Sequence, residues 1–513
     1  QIDNEFGHEG SDLCYCDLCK KEFNEYLKEK YDNDINKLNE TWGTIFWSQT
    51  YNTFEEIPLP KPTITTHNPS LRMEHERFRS ESIEKYAKFQ VDLLKEILGK
   101  DSVIIHDFSG GYFDKSYDFS KVGKHMDVVA YNNYPVWGGQ KEPIPAWEIA
   151  CGLDYMRGIK GQNFWITEAI MGAQGHDVIG YLPRPRQAKM WSYQGIAHGC
   201  SSLMYFRYRG ATKGAEQYCY GIIDQDNVKR RKFYEVQSFF KEMKENEALT
   251  QSEVKSDVAV VYDYESMASF RIQRQSFLMD YKQEVYRLYR PFYKKNINMD
   301  VIPSDSDFDK YKVLLLPVMI VHKKEVQDKV RKFVSGGGTV VFTYRTAVKD
   351  YYNNLTLGQF NPTYYTDLVG GYVEEVESFQ DDQVAFLIGN EEFEGINGTA
   401  TVFRDMLKTT TAKTLFKYED EFFEDLAAVT LNEYEGGKVY YIGSGADNTI
   451  MDAITNKIIN ESNLDAIESE EGVEVVRRSL NNEDYYFVMN HTSDEKKFRN
   501  EILKAYEAKI VKA

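Results

Sequence analysis

The sequence predicts an α/β protein: part of an eight-stranded parallel β/α barrel, then a three-layer α/β domain, then a small C-terminal β domain. Three observations carry this. Between residues 102 and 246 short apolar strands alternate with helices, which is the pattern of parallel β/α units. Two strand-like runs, Gln1-Ile2-Asp3-Asn4-Glu5 and Asn163-Phe164-Trp165-Ile166-Thr167-Glu168, end in a carboxylate. Barrel enzymes keep their reactive groups at the C-terminal ends of strands. Past Val254 buried-type strands alternate with helices again, and from about Gly472 short alternating strands take over. The expected domains are 1–250, 251–465 and 466–513.

In chain order, residues 8–24 are a polar, Cys-bearing loop leading into a helix from Lys20 to about Tyr31. Pro58, Pro60 and Pro62 mark an extended loop. Residues 72–98 are amphipathic and end at Gly99, a helix stop. Strands are expected at Ser102–His106, Asp127–Tyr131, Asn163–Thr167 and Ser202–Phe206. Helices are expected at Phe119–His125, Pro145–Lys160, Arg186–Gly199 and Val228–Asn246. With the strand ending at Glu5, this is about half of a barrel, so further strands are expected before Gln1. The alternative is an open α/β sheet, but no glycine-rich dinucleotide fingerprint follows any strand.

The second domain begins with the buried strand Val258–Tyr262 and a helix at about Asp280–Lys295. A strand at Val313–Pro317, a helix at Lys323–Val334 and a strand at Thr339–Phe342 follow. Gly336-Gly337-Gly338 lies after a helix and before a strand, the wrong order for a phosphate cradle, and reads as a turn. The domain closes with Lys438–Gly443 and a helix near Thr449–Asn460. The last domain contributes strands Val473–Arg478 and Tyr485–Asn490.

Composition excludes some classes. A net charge of −18 argues against nucleic-acid binding, which needs a basic face. No apolar run is long enough to span a membrane. The 37 Tyr, 30 Phe and 6 Trp suit a sugar site, where an aromatic face packs on the C–H face of a pyranose. All six Cys fall at or before Cys219, three clustered and three scattered, which is no secreted disulfide framework. A reducing, cytoplasmic compartment is expected.

Two carboxylates flanking a glycosidic bond can hydrolyse it, one protonated to assist the leaving oxygen and one ionised. Glu5 and Glu168 are that candidate pair, and the residue types alone leave their roles open. Asn4 precedes Glu5 and can bond a sugar hydroxyl. Tyr131-Asn132-Asn133-Tyr134-Pro135 and Phe206-Arg207-Tyr208-Arg209 end two more strands on the same rim. His106-Asp107 also ends a strand and reads as loop architecture. Cys14, Cys16 and Cys19 form C-x-C-x2-C, a candidate structural zinc site in want of a fourth ligand.

Gln-Ile-Asp-Asn-Glu-Phe-Gly at 1–7, Cys-Tyr-Cys-Asp-Leu-Cys at 14–19, Leu-Asn-Glu-Thr-Trp-Gly-Thr-Ile-Phe-Trp-Ser-Gln at 38–49 and Tyr-Phe-Arg-Tyr-Arg at 205–209 resemble glycoside hydrolase family 42, the β-galactosidases. Val-Ala-Val-Val-Tyr-Asp at 258–263 and Gly-Gly-Gly-Thr-Val-Val at 336–341 extend the resemblance into the second domain. It implies a TIM barrel and a retaining mechanism, with Glu5 as acid/base at the end of the fourth strand and Glu168 as nucleophile at the end of the seventh. It implies Asn4, Tyr134 and Glu216 as sugar contacts. It also implies a second domain that assembles a homotrimer, and a fourth zinc-ligating Cys outside this sequence.

The family has His where Cys219 stands and Trp where His176 stands, both in the pocket of the reacting sugar. A thiol hydrogen-bonds more weakly than imidazole, and His offers less stacking area than Trp. The expected activity is hydrolysis of terminal β-D-galactosides. The rival is the same mechanism on an α-L-arabinopyranoside or β-D-fucoside. A class I amidotransferase-like activity in the second domain needs a Cys nucleophile, and no Cys follows Cys219. A non-catalytic carbohydrate-binding protein is the remaining alternative.

Overall fold

The computed structural model describes residues 1–8, 13–111 and 113–513. The first part of the chain contains α1 (Asp17–Lys30), α2 (Ile35–Trp42), α3 (Pro69–Leu98), β1 (Asp107–Phe108), α4 (Phe119–His125) and β2 (Ala130–Asn133). It continues with α5 (Ala146–Gly158), β3 (Phe164–Ala169), α6 (Gln187–Ala197), β4 (Cys200–Tyr205), α7 (Arg231–Glu245) and the short α8 (Glu247–Thr250). The four strands form one parallel sheet in sequence order. It is half of a barrel wall, with helices packed outside it.

Local chemistry sets the boundaries. Asp34 caps α2, and Gly43 ends it at φ 61°. Asn68 caps α3 with Pro69 in its first turn. α1 starts three residues before its expected start because the Cys16 sulfur accepts the Cys19 N–H and serves as its N-cap. Two expected strands fail. The Ile104 N–H is taken by Asp127 Oδ2 at 2.6 Å rather than by a neighbouring strand, so the strand expected at Ser102–His106 begins only at Asp107. Residues 1–7 make the backbone bond Ile2 N–H to Ile105 O at 2.8 Å and then turn, with φ 45° at Asp3 and at Glu5. Glu5 therefore sits on a turn beside β1 and not at the end of a strand.

The second part holds β5 (Val258–Tyr262), α9 (Tyr264–Ile272), α10 (Tyr281–Tyr293), β6 (Met299–Pro303), β7 (Val313–Leu316), α11 (Lys324–Ser335), β8 (Thr339–Thr343) and α12 (Thr366–Val369). Then come β9 (Gly371–Ser378), β10 (Ala385–Gly389), β11 (Asn397–Thr409), β12 (Lys413–Tyr418), β13 (Ala427–Tyr434), β14 (Gly437–Ile442), β15 (Ser444–Ala446) and α13 (Asn448–Glu461). All share one 11-stranded sheet. Its core, in the order β14-β8-β7-β5-β6, is parallel, and β5, β6, β7 and β8 are buried at every position. The segment from β9 to β13 is antiparallel, and β14 joins the two halves by pairing with β13 on one side and β8 on the other.

The last part is a three-stranded antiparallel sheet of β16 (Val473–Leu480), β17 (Glu483–Asn490) and, after the small pair β18 (Lys496–Phe498) and β19 (Glu501–Leu503), β20 (Ala508–Lys512).

A buried polar junction ties the three parts together. His198, just after α6, presents Nδ1 to Asp154 Oδ1 at 2.7 Å and Nε2 to Glu474 Oε1 at 2.9 Å. Gln194 and His491 also reach Glu474 Oε2, at 2.9 and 2.7 Å. The Tyr289 hydroxyl donates to Asp154 at 2.6 Å, and Arg157 bridges Asp154 to Asp300 at 2.8 and 2.7 Å. Tyr311 and Lys310 complete the shell of Asp300. Burial pushes the His198 imidazole down, but the Asp154 and Glu474 carboxylates outweigh it and hold it at about 9. Burial raises Glu474, while His198 and His491 lower it to about 2. Beside this junction α5 lies directly on β6: a Cβ on Gly158 would meet the Val301 carbonyl oxygen at 1.8 Å, so only glycine fits.

Candidate active site

β3 carries Glu168 and β2 carries Asn132, and the two are paired across the sheet. Asn132 Nδ2 donates to Glu5 Oε1 at 2.9 Å, which brings the turn at the start of the chain to the ends of β2 and β3. The Tyr134 hydroxyl, two residues beyond Asn132, donates to Glu168 Oε2 at 2.5 Å. Glu5 and Glu168 thus lie on one rim. Burial raises the Glu168 carboxyl to about 7; the Tyr134 hydroxyl opposes this, and the charges of Glu5, Asp107 and Glu216 add to it. Asp107, the first residue of β1, is raised to about 6, mainly by burial.

A wall of rings and charges continues from Tyr134. Trp137 packs edge-on against Tyr134 at 4.7 Å and against His176 at 5.5 Å. His176 Nε2 lies 3.8 Å from Glu216 Oε1, and Arg207 pairs with the other Glu216 oxygen. Sequence reasoning missed Trp137, although Trp-Gly-Gly directly after a strand was a usable signal. The loops after β2 and β3 touch backbone to backbone: a Cβ on Gly138 would meet Val178 O at 2.6 Å, and one on Gly180 would meet Trp137 O at 2.5 Å. Trp137 and His176 are therefore presented by two interlocked loops.

The remaining expected contacts divide. Cys219 is buried, and its thiol donates to Gly175 O at 3.7 Å, so it braces the β3 loop. Burial raises its pKa. Asn4 is exposed, with Gln1 Nε2 on its side-chain oxygen at 3.4 Å.

The sulfurs of Cys14, Cys16 and Cys19 all lie within 4.8 Å of one another at the start of α1. The Cys19 N–H, then the Cys14 and Cys19 side chains, lower the Cys16 thiol to about 7. Three soft thiols in this spacing fit a thiophilic metal ion, and among the described residues they supply three of the four ligands that a closed structural site takes.

Half a parallel barrel with two carboxylates on its strand-end rim, backed by an α/β domain, is the layout of a barrel glycosidase. The chain belongs to glycoside hydrolase family 42. Residues 1–246 match the β-galactosidase family, 256–465 the β-galactosidase trimerisation domain and 472–512 the β-galactosidase C-terminal domain. β-Galactosidase BgaA of Clostridium cellulovorans is 30% identical over 506 residues, covering 97% of this chain and 74% of that protein. β-Galactosidase LacZ of Heyndrickxia coagulans is 31% identical over 495 residues, covering 96% and 72%. The crystal structure of β-galactosidase from Bacillus circulans sp. alkalophilus superposes with a TM-score of 0.92 at 28% identity, over 99% of this chain and 78% of that one.

Proposed function

We propose that this protein hydrolyses terminal, non-reducing β-D-galactosides with retention of configuration. The observation that carries this is the pairing of Glu5 and Glu168 on one rim through Asn132, in a chain whose relatives of about 30% identity are named β-galactosidases. Glu168 attacks the anomeric carbon to form a glycosyl-enzyme, while Glu5 gives its proton to the departing oxygen. Water, deprotonated by Glu5, then releases the sugar. At pH 7 Glu168 populates both protonation states, so its attack strengthens as the pH rises through about 7. The Tyr134 hydroxyl is the neighbour that favours the ionised form. Glu216 and Tyr134 hold sugar hydroxyls, and Trp137 with His176 supplies the apolar wall.

The test is turnover of nitrophenyl β-D-galactoside and nitrophenyl α-L-arabinopyranoside in parallel, with Glu168→Gln as control. Galactoside cleavage that disappears in the variant supports the reading. Preference for the arabinopyranoside transfers the same mechanism to the rival sugar. Turnover of neither sugar above the variant leaves a carbohydrate-binding protein and ends the hydrolase reading.

The metal at the cysteines is Zn²⁺ in this proposal, bound for structure. Elemental analysis of protein purified without chelator should give zinc, and Cys16→Ser should lose it. The second domain assembles a homotrimer, read by light scattering as three times 59.7 kDa. The cysteines are free, which supports a cytoplasmic location. No described helix is long and apolar enough to cross a membrane.

A further inference from the structure

We propose that the dipeptide His106–Asp107 is a positioning device for Glu5, gripping the turn that carries it from both ends and from beneath. This rests on the acid/base role proposed for Glu5.

His106 is fully buried. Its Nδ1 lies 2.9 Å from Ile2 O, which can only accept, so Nδ1 carries the hydrogen. Nε2 is then the acceptor, and it receives the Phe6 N–H at 3.2 Å. The ring also stacks on Phe6 at 4.0 Å and 13°. Burial keeps the ring neutral, with its pKa lowered to about 4, so the acceptor lone pair persists at any working pH. One imidazole thus pins residues 2 and 6, and Glu5 stands between them at φ 45°, a backbone region that needs outside support in a residue other than glycine.

Asp107 fixes the other end of the carboxyl. Asn132 Nδ2 is shared between Glu5 Oε1 at 2.9 Å and Asp107 Oδ2 at 3.3 Å. The Thr167 hydroxyl lies 3.1 Å from Asn132 Oδ1 and donates to it, which locks the amide with its N–H groups toward the two acids. The Glu5 backbone N–H faces the same Asp107 carboxyl. Turning Asn132 over would aim its carbonyl oxygen at both carboxyls, so the direction of Glu5 Oε1 is set by Asp107 and Thr167 together. A proton donor must meet the leaving oxygen within hydrogen-bond reach, and this grip sets that reach.

The test separates positioning from plain packing by the leaving group. His106→Phe keeps the stacked ring and loses both hydrogen bonds. Asp107→Leu keeps the approximate size and offers Asn132 no acceptor. Loss of a well-aimed acid costs about 10²-fold on a poorly leaving phenyl β-D-galactoside. A 2,4-dinitrophenyl β-D-galactoside departs without a proton, so kcat/KM on it should fall by no more than roughly threefold. Glu168→Gln should lose both substrates alike. Equal losses on the two substrates, or none, in the His106 and Asp107 variants overturn the proposal. If the unaltered chain cleaves neither substrate, the hydrolase reading fails, and amide hydrogen exchange decides the grip. Faster exchange at residues 2–6 in both variants, with 164–169 unchanged, supports it. Unchanged exchange at residues 2–6 overturns it.

Discussion

Removing the charge of His198 should abolish most of the alkaline instability of this protein. The imidazolium is buried between Asp154 and Glu474, which hold it at about 9 against an ordinary 6.5. A group whose pKa is raised on folding stabilises the fold fully below its unfolded value and loses that stabilisation as the pH climbs through the folded one. The window is therefore pH 6.5 to about 9, and the difference corresponds to about 3 kcal/mol. Glu474, lowered from 4.5 to about 2, gives the acid side: its contribution is present above about 4.5 and is lost as the pH falls toward 2. It is the same contact seen from the other partner, so the two figures do not add. Local opening of β16 and β17, followed by amide exchange from pH 6 to 9.5, should become easier by about 3 kcal/mol in the unaltered protein. His198→Gln removes the cation between Asp154 and Glu474, leaving Arg157 on the first and His491 on the second, and should cost about 3 kcal/mol at pH 6.5. Its remaining stability should then be nearly flat to pH 9. The same alkaline slope in His198→Gln and the unaltered protein would refute this account of the junction.

Tyr134→Phe removes the hydroxyl that favours ionised Glu168. A hydrogen bond to a charged acceptor is worth about 1.5–3 kcal/mol, so kcat/KM should fall roughly 10- to 100-fold. The acid limb of its pH profile should move above the value near 7 expected for the unaltered site. Gly158→Ala places a methyl group 1.8 Å from Val301 O, forces α5 off β6, and should lower stability by about 1–3 kcal/mol or more, read by thermal unfolding.

Legibility followed periodicity. Val258–Tyr262 is an unbroken apolar run and forms β5 with those bounds. The helix read at Phe119–His125 also forms as read. β6 was invisible because Asp300 and Pro303 interrupt its apolar pattern, and the Asp300 charge is matched by Arg157 and Lys310, both outside the strand. β9 was missed because Glu374, Glu375 and Glu377 are exposed and the run reads as a charged loop. The helix read at Arg186–Gly199 ends at Ala197, and Cys200 begins β4. In the site, residue types at strand ends pointed to Glu168 and Tyr134. The supports of the Glu5 turn were illegible: His106 and Asn132 lie about a hundred or more positions away, and only the folded parallel sheet brings them to it.

The placement of β14 has a consequence for how this architecture can change over time. The chain leaves the parallel core at β8 and re-enters it at the adjacent position, so the 371–434 excursion starts and finishes on neighbouring strands about 5 Å apart. Such a detour can lengthen, shorten or be exchanged without moving the five parallel strands or the barrel behind them. The region is an adaptable module on a constant frame, and sequence change can accumulate there while the rim carrying Glu5 and Glu168 stays unaltered.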